Sequence, residues 1–522
     1  MARLTGSWWR HDVIYQVYPR SFADSDGDGV GDLRGIESRL DYLSWLGVDV
    51  LWLSPIFPSP MADFGYDISD YRDVDPLFGS LADFDRLLAQ AKRRGLRVLL
   101  DFVPNHTSDR HPLFLEAASA RDAPRRDWYI WRDPAPDGGP PNDWQSAFGG
   151  SAWEWHEPTS QYYFHSFLKE QPDLDWSNPQ VRSAMADVLR FWFERGVDGF
   201  RIDVVWLLGK GPEIEPGTSF DDRTRPSKLG GDQPAVHDYI EELRGVAEEF
   251  GERLLIGEIY LPLERLMQYY GEAGGGLHLP FNFQLLLVDW RAEAVHAGIK
   301  RYEELLPAGA WPNWVLGNHD NSRIASRVGA AQARVAAMLL LTLRGTPTIY
   351  YGDEIGMADV DVPPDEQRDP QGLRRAGISR DRARTPMRWR EGARAGFTQG
   401  QPWLPIGPAV AEINVAGQRD DPDSMLNFHR RLLDLRRREP ALHAGAWEDL
   451  GRKGPVLAYL RAAEGRRFLV VLNLSGRSAA LPEAALSLSG TVVLGTTRGR
   501  PGDHYGPAAG LAADEGLLVL LD

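Results

Sequence analysis

Four short apolar runs in this chain end on polar groups that could act together: Asp101-Phe-Val-Pro-Asn105-His106, Gly199-Phe-Arg201-Ile-Asp203, Gly257-Glu258 and Gly317-Asn318-His319-Asp320. Asp203, Glu258 and Asp320 thus come from three different runs. Glycosidic-bond hydrolysis needs such a set: one carboxyl protonates the leaving oxygen and another works on the opposite face of the sugar. Taken singly, each acid is commonplace, because Asp and Glu make up 74 of 522 residues and a strand-end acid usually caps the next helix. The combination says more. Arg201 and His319 supply donors that hold a neighbouring carboxylate ionised, whereas Glu258, behind Gly257 on an apolar run, is a carboxyl that burial could keep protonated.

Two further segments carry candidate ligands. Asp24-Ser-Asp26-Gly-Asp28-Gly-Val30-Gly-Asp32 sets carboxylates at positions 1, 3, 5 and 9 of a calcium-loop pattern, with the Val30 carbonyl at position 7. The pattern breaks at position 12, where Gly35 replaces the bidentate Glu of an EF-hand. A structural Ca2+ loop, with Mg2+ as the alternative ion, is one reading, and a solvated acidic turn is the other. The second segment, Asp63-Phe-Gly-Tyr66, follows the second apolar run. On residue types alone, Tyr66, and Phe148 farther along, read as ordinary loop packing.

Positioning these groups requires strands whose ends meet. Apolar runs alternate with helical stretches such as Leu81–Arg93 and Ser183–Arg195, the signature of βα units. Strands are predicted at Ile14–Tyr18, Val50–Ser54, Val98–Phe102, Gly199–Asp203, Leu254–Glu258, Leu279–Phe283, Trp314–Gly317 and Thr348–Tyr351. The expected fold is α/β, a (β/α)8 TIM barrel, with a doubly wound open sheet as the alternative that periodicity leaves standing. The expected domains are a first barrel part (1–104), a Trp-, Pro- and Gly-rich insertion (105–175), a second barrel part (176–441) and a C-terminal antiparallel β domain (442–522). Gly209 to Asp232 is expected to form a loop over the barrel mouth.

Composition bounds the partners. The 43% apolar and 25% charged residues are those of a soluble globular chain, and a formal charge of −16 argues against nucleic acid or an anionic membrane as partner. The absence of cysteine excludes disulfides and thiolate chemistry and fits a reducing compartment. Met1 to Gln16 lacks the apolar run of a signal peptide, and Val335 to Leu343 is far too short for a bilayer span. A cytoplasmic protein is expected, either a monomer or a weak homo-oligomer.

The four motif segments resemble, in order, the four sequence regions of the α-amylase superfamily, glycoside hydrolase family 13. Gln171-Pro-Asp-Leu-Asp175 resembles a fifth region in the form of the bacterial α-glucosidase and oligo-1,6-glucosidase branch, and Gly345 to Glu354 resembles the eighth-strand segment. The resemblance implies Asp203 as nucleophile, Glu258 as general acid/base and Asp320 as the group that holds sugar hydroxyls in the transition state. It also implies that Arg201 orients Asp203 and that His106 and His319 bind the first glucose. Asp63, Tyr66 and Arg384 would close the pocket, with Phe148 as an aromatic wall, and a calcium loop would sit at Asp24, Asp26, Asp28, Val30 and Asp32. The activity implied is a retaining, exo-acting α-glucosidase on small α-glucosides. A glucosyl-transferring or isomerising relative, such as a trehalose or isomaltulose synthase, shares the same carboxylates. An endo-amylase fits the closed pocket poorly, and the transporter heavy subunits of similar fold lack the full acid set. Val204 resembles the residue of α-1,6-preferring enzymes, while the segment Asp203-Val-Val-Trp206 is closer to α-glucosidases of broad specificity.

Overall fold

All eight predicted barrel strands form. In the computed structural model, which describes residues 7–210, 231–375, 377–497, 500–506 and 510–522, they run Ile14–Val17, Val50–Leu53, Arg97–Phe102, Gly199–Ile202, Leu254–Gly257, Leu279–Pro280, Asn313–Val315 and Thr346–Tyr350. Each pairs in parallel with its sequence neighbour, and the eighth strand pairs with the first, so the ladder reads 7-8-1-2-3-4-5-6. A doubly wound sheet would reverse strand order at a switch point. Here the order never reverses, and the ladder wraps into a barrel with its remaining seam between the sixth and seventh strands. The loop expected over residues 209–232 lies largely outside the described residues.

The two-residue period of a strand explains how the site is built. One parity of side chains points inward, where Ile14, Val50, Trp52, Leu99, Leu254, Ile256 and Leu279 pack as the barrel interior. Continuing that parity upward by two residues leads from Leu99 to Asp101 and from Ile256 to Glu258. The opposite parity, Tyr15, Leu51, Val98 and Leu100 among others, packs beneath the surrounding helices. Register then brings charges side by side: Asp101 pairs with Arg201 across the third and fourth strands. Ile202 pairs with Gly257 across the fourth and fifth, so Asp203 and Glu258 leave the sheet together.

The helices have local reasons to start and stop. Leu81–Arg93 opens on a capping box of Ser80 and Asp83, and Pro179–Arg195 opens on Asn178 with Pro at its first position and ends at Gly196, φ +100°. The segment after the third strand contains a small antiparallel sheet, Trp131–Arg132, Gln161–Phe164 and Trp153–His156, on a core of Trp144, Ala152, Trp153 and Phe164. The C-terminal sheet is antiparallel, with long strands at Ala446–Lys453, Val456–Ala463, Arg466–Asn473, Gly490–Gly495 and Gly516–Leu521. Barrel helix and C-terminal sheet are tied by His296 and Asp449 at 2.8 Å. Among the described residues no helix is long and apolar enough to cross a membrane.

Gly257 is required by close approach. A Cβ there would lie 2.2 Å from Leu277 Cδ1 and 2.9 Å from Val205 Cγ1. Gly257→Ala is therefore expected to cost about 1–3 kcal/mol through overpacking. Thermal unfolding measures this, and an unchanged Tm would show that the neighbours yield freely.

Candidate active site

Arg201 is the centre of the constellation. It is buried on the fourth strand; its Nη1 donates to Asp101 Oδ1 at 2.8 Å and to Asp203 Oδ1 at 2.6 Å. Its Nη2 pairs with Glu258 Oε2 at 2.9 Å, and its guanidinium lies 5.3 Å from the Trp52 ring centre. Three strand ends therefore meet on one cation. The backbone helps: Val204 N donates to Glu258 Oε2 at 3.0 Å. To do so, Val204 takes φ +34°, a left-handed conformation that is costly for a β-branched residue.

This setting decides protonation. Burial pushes the Asp203 carboxyl well above the usual carboxylate range, with Glu258 and Asp101 adding repulsion. Burial raises Glu258 as well and takes Asp101 to about 6, against the pull of Arg201. Both carboxyls are thus biased toward their protonated forms, the setting in which one of them can serve as an acid. Glu258 Oε2 is occupied by two donors, so Oε1 is the oxygen available to carry a proton.

Asp320, past the seventh strand, faces the same space in a different field. Its Oδ1 accepts from Arg384 Nη2 at 3.0 Å and Arg380 Nη1 at 3.3 Å, and its Oδ2 lies 3.4 Å from His319 Nε2. Burial alone would raise this carboxyl, but the Arg380 and Arg384 guanidiniums beside it outweigh that and hold Asp320 below the usual range. It stays ionised. Burial lowers His319 well below the ordinary histidine value, and its neutral ring stacks on Tyr66 at 5.4 Å and 5°. Tyr66 Oη lies 2.7 Å from His319 Nε2 and donates to Asp101 Oδ2 at 3.0 Å.

Beside Asp320, Arg380 and Arg384 take different partners. Arg384 does not reach Asp63: its Nε donates to the His319 carbonyl at 2.8 Å, and the side chain is buried behind Asp320. The partner of Asp63 is Arg380, whose Nη2 donates to Asp63 Oδ1 at 2.7 Å and to Asp369 Oδ1 at 2.6 Å. The Arg380 guanidinium also stands 5.0 Å from the Phe148 ring centre. Phe148, Asp63, Tyr66, His106, His319 and the three acids are therefore brought into one network. Asp101 follows the strand-end rule as well as Asp203 does, and that rule would have found it. Nothing in the run Arg380-Asp-Arg-Ala-Arg384 distinguishes the two arginines in advance.

In the acidic loop, Asp24, Asp26 and Asp28 each offer a carboxylate oxygen within 4.8 Å of one another, a hard all-oxygen set of the kind Ca2+ or Mg2+ takes. The Asp32 carboxylate accepts from Ser25 N and Oγ and caps the helix Leu33–Ser38 through Gly35 N at 2.7 Å. Asp24 in turn accepts from Gly27 N, Gly29 N and Thr398 Oγ1.

The α-amylase catalytic-domain family matches residues 16–445. A probable α-glucosidase of Rhizobium meliloti is 41% identical over 501 residues, 90% of each chain. An oligo-1,6-glucosidase of Parageobacillus thermoglucosidasius is 37% identical, covering 90% of this chain and 91% of its own. Among solved structures, an α-glucosyl transfer enzyme superposes with a TM-score of 0.90 at 40% identity, covering 99% of this chain and all of the other.

Arg201→Met would leave three buried carboxyls without their cation. Breaking a buried pair in this way costs about 3–5 kcal/mol. Without Arg201 the folded-state pKa values of Asp101, Asp203 and Glu258 rise further. A raised acid contributes stability below its unfolded pKa and loses it as pH climbs through the folded value. The Tm deficit of the variant is therefore expected to be larger near neutrality than near about pH 5, and a pH-independent deficit would contradict this account.

Proposed function

The chain belongs to the α-amylase family and is a glycoside hydrolase of the α-glucosidase type, and from that premise we propose that it releases α-glucose from the non-reducing end of short α-glucosides with retention of configuration. The observation that carries this reading is that Asp203 and Glu258 accept from the two terminal nitrogens of one guanidinium. Retaining enzymes hold their carboxyls about 5–5.5 Å apart, while inverting enzymes leave about 6.5–9.5 Å for a water.

The mechanism follows from which oxygens are free. Glu258 protonates the glycosidic oxygen, and the C1–O bond breaks as Asp203 attacks C1 through Oδ2, its Oδ1 being held by Arg201. Water then loses a proton to Glu258 and attacks C1, breaking the Asp203 ester and releasing the α-anomer. Asp320 stays ionised throughout and accepts hydroxyl donors of the sugar; a charge placed before the reaction begins costs no reorganisation. The Asp63–Arg380–Asp320 chain and Phe148 close the pocket beyond the first glucose, which supports exo action. His106, Tyr66 and His319 complete the glucose site. The substrates proposed are α-1,6 and α-1,4 glucosides, with α-1,1 glucosides and sucrose as further candidates. The protein acts in the cytoplasm, as a monomer or weak homo-oligomer.

Transfer to a sugar acceptor, as in a trehalose or isomaltulose synthase, is the second reading. It is favoured by the likeness to the α-glucosyl transfer enzyme and by the flat stack of Tyr260 on Phe283, 4.4 Å and 5°, just beyond Glu258, where an acceptor sugar could lie.

Incubation with isomaltose, maltose, trehalose, sucrose and p-nitrophenyl α-glucoside, followed by NMR, tests both readings. α-Glucose is expected as the first product, and Asp203→Asn is expected to lose turnover on the order of 10⁴-fold. Disaccharide isomers in place of glucose would establish transfer. Equal rates for wild type and variant would remove Asp203 from the mechanism.

We also propose that Asp24, Asp26, Asp28, Asp32 and the Val30 carbonyl hold a structural Ca2+ or Mg2+, which when bound would neutralise the mutual repulsion of the carboxylates. Ca2+ added to chelator-treated protein is expected to raise Tm, in line with ligand-linked stabilisation, and Asp26→Asn is expected to weaken the response. No shift in Tm with either cation would leave a solvated acidic turn.

A further inference from the structure

We propose that Lys210 is a positioning residue that locks the ring tautomer of His106, fixing the proton on Nε2 at the wall of the proposed glucose site. The expected effect on turnover rests on the function proposed above; the tautomer is a property of the free protein.

Lys210 follows the fourth strand, yet its ammonium lies among groups from two other parts of the chain. Nζ donates to Asn105 Oδ1 at 2.7 Å and to the Leu207 carbonyl at 2.8 Å, and it pairs with Asp173 Oδ2 at 3.0 Å. Asp173 is fully buried, and its carboxylate also accepts from Ser166 N at 2.7 Å and Ser166 Oγ at 2.6 Å. Asn105 is therefore clamped by two charges. An ammonium can only donate, so the amide oxygen must face Lys210, and the amide nitrogen donates to Asp173 Oδ2 at 3.2 Å.

That orientation has a consequence one residue on. Asn105 Nδ2 lies 3.0 Å from His106 Nδ1. An amide nitrogen has no lone pair to give, so Nδ1 must accept and the proton of the neutral ring must sit on Nε2. Nε2 in turn is 3.0 Å from the Tyr66 carbonyl, an acceptor. Both contacts call for the same tautomer. Gln171 Nε2, 3.0 Å from His106 Nε2, is a donor that calls for the opposite one. It is held only by neutral or long contacts, its own oxygen accepting from Leu168 N at 3.1 Å and its nitrogen reaching Asp63 at 3.4 Å. Charge-assisted bonds are roughly twice as strong as neutral ones, so the Lys210–Asn105–Asp173 clamp prevails. Burial, with Lys210 adding to it, takes the ring down to about 4, so near neutrality His106 has a single N–H and its placement decides what it can bind.

The test is long-range proton–nitrogen correlation NMR on the full chain labelled with nitrogen-15 histidine, the His106 signal being identified by its loss in His106→Gln. The wild type is expected to show the Nε2–H pattern. Lys210→Met is expected to shift His106 toward the Nδ1–H form and to lower kcat/KM by about 10–100-fold, by analogy with loss of the outer partner of a metal-ligating histidine. Lys210→Arg, which keeps the charge and the donors, is expected to recover much of both. Asn105→Asp leaves Lys210 an anionic partner but cannot donate to Nδ1, so it should flip the tautomer with Lys210 in place; it carries the test if Lys210→Met fails to fold. An Nδ1–H pattern in the wild type, or an unchanged His106 in Asn105→Asp, would overturn the proposal. A wild type that hydrolyses no α-glucoside would instead overturn the function proposed above and leave the tautomer result standing.

Discussion

The interaction on which the rest of this structure depends is the contact of the Arg201 guanidinium with Asp101, Asp203 and Glu258. Removing several ions from water costs several kcal/mol each, and their attraction repays it only when geometry is good and remaining donors and acceptors are used. Here one planar cation meets three carboxyls whose burial biases them toward protonation, so the pocket need not carry three full negative charges. The same arithmetic explains why the site sits where it does. Adjacent parallel strands put Asp101, Arg201, Asp203 and Glu258 side by side, and closure of the sheet into a barrel brings Asp320 to the same end.

Around that centre the backbone accepts conformations that an isolated strand end would avoid. Val204 adopts φ +34° while offering its N–H to Glu258, and Gly257 leaves no room for a Cβ. Strain of this kind persists where surrounding packing over-determines it. Val205 and Leu277, both buried, pack against Gly257 here.

Two electrostatic fields meet across the pocket. On the Arg201 side burial dominates and favours protonation. On the Asp320 side Arg380 and Arg384 dominate and favour ionisation. Neutral rings lie between them: Tyr66 and His319 stack, their polar edges linking Asp101 to Asp320. The chain from Lys210 through Asn105 to His106 extends the same logic, because a distant charge decides where a neutral ring carries its proton.

Much of this was legible in the primary structure. The βα alternation gave the eight strands to within two or three residues, because parallel barrel strands are apolar on both faces and stand out from polar loops. The strand-end rule singled out Asp203, Glu258 and Asp320, and two-residue parity with register would have added Asp101. The acidic loop was visible as a spacing, but whether Asp32 faces a cation or caps a helix depends on where the next helix begins. Arg380 and Arg384 sit four residues apart in one loop with the same chemistry, and only the path of that loop sends the first to Asp63 and the second behind Asp320. Lys210 is unremarkable by position, and its meaning appears only when Asp173, far along the inserted segment, closes on it. The residue order by itself determined which side chains have chemistry to offer and which strand each one ends, since these follow from local periodicity. Tertiary structure alone decided which charges meet, which carboxyls are buried and which arginine reaches Asp63, since those depend on distances between segments that no local pattern encodes.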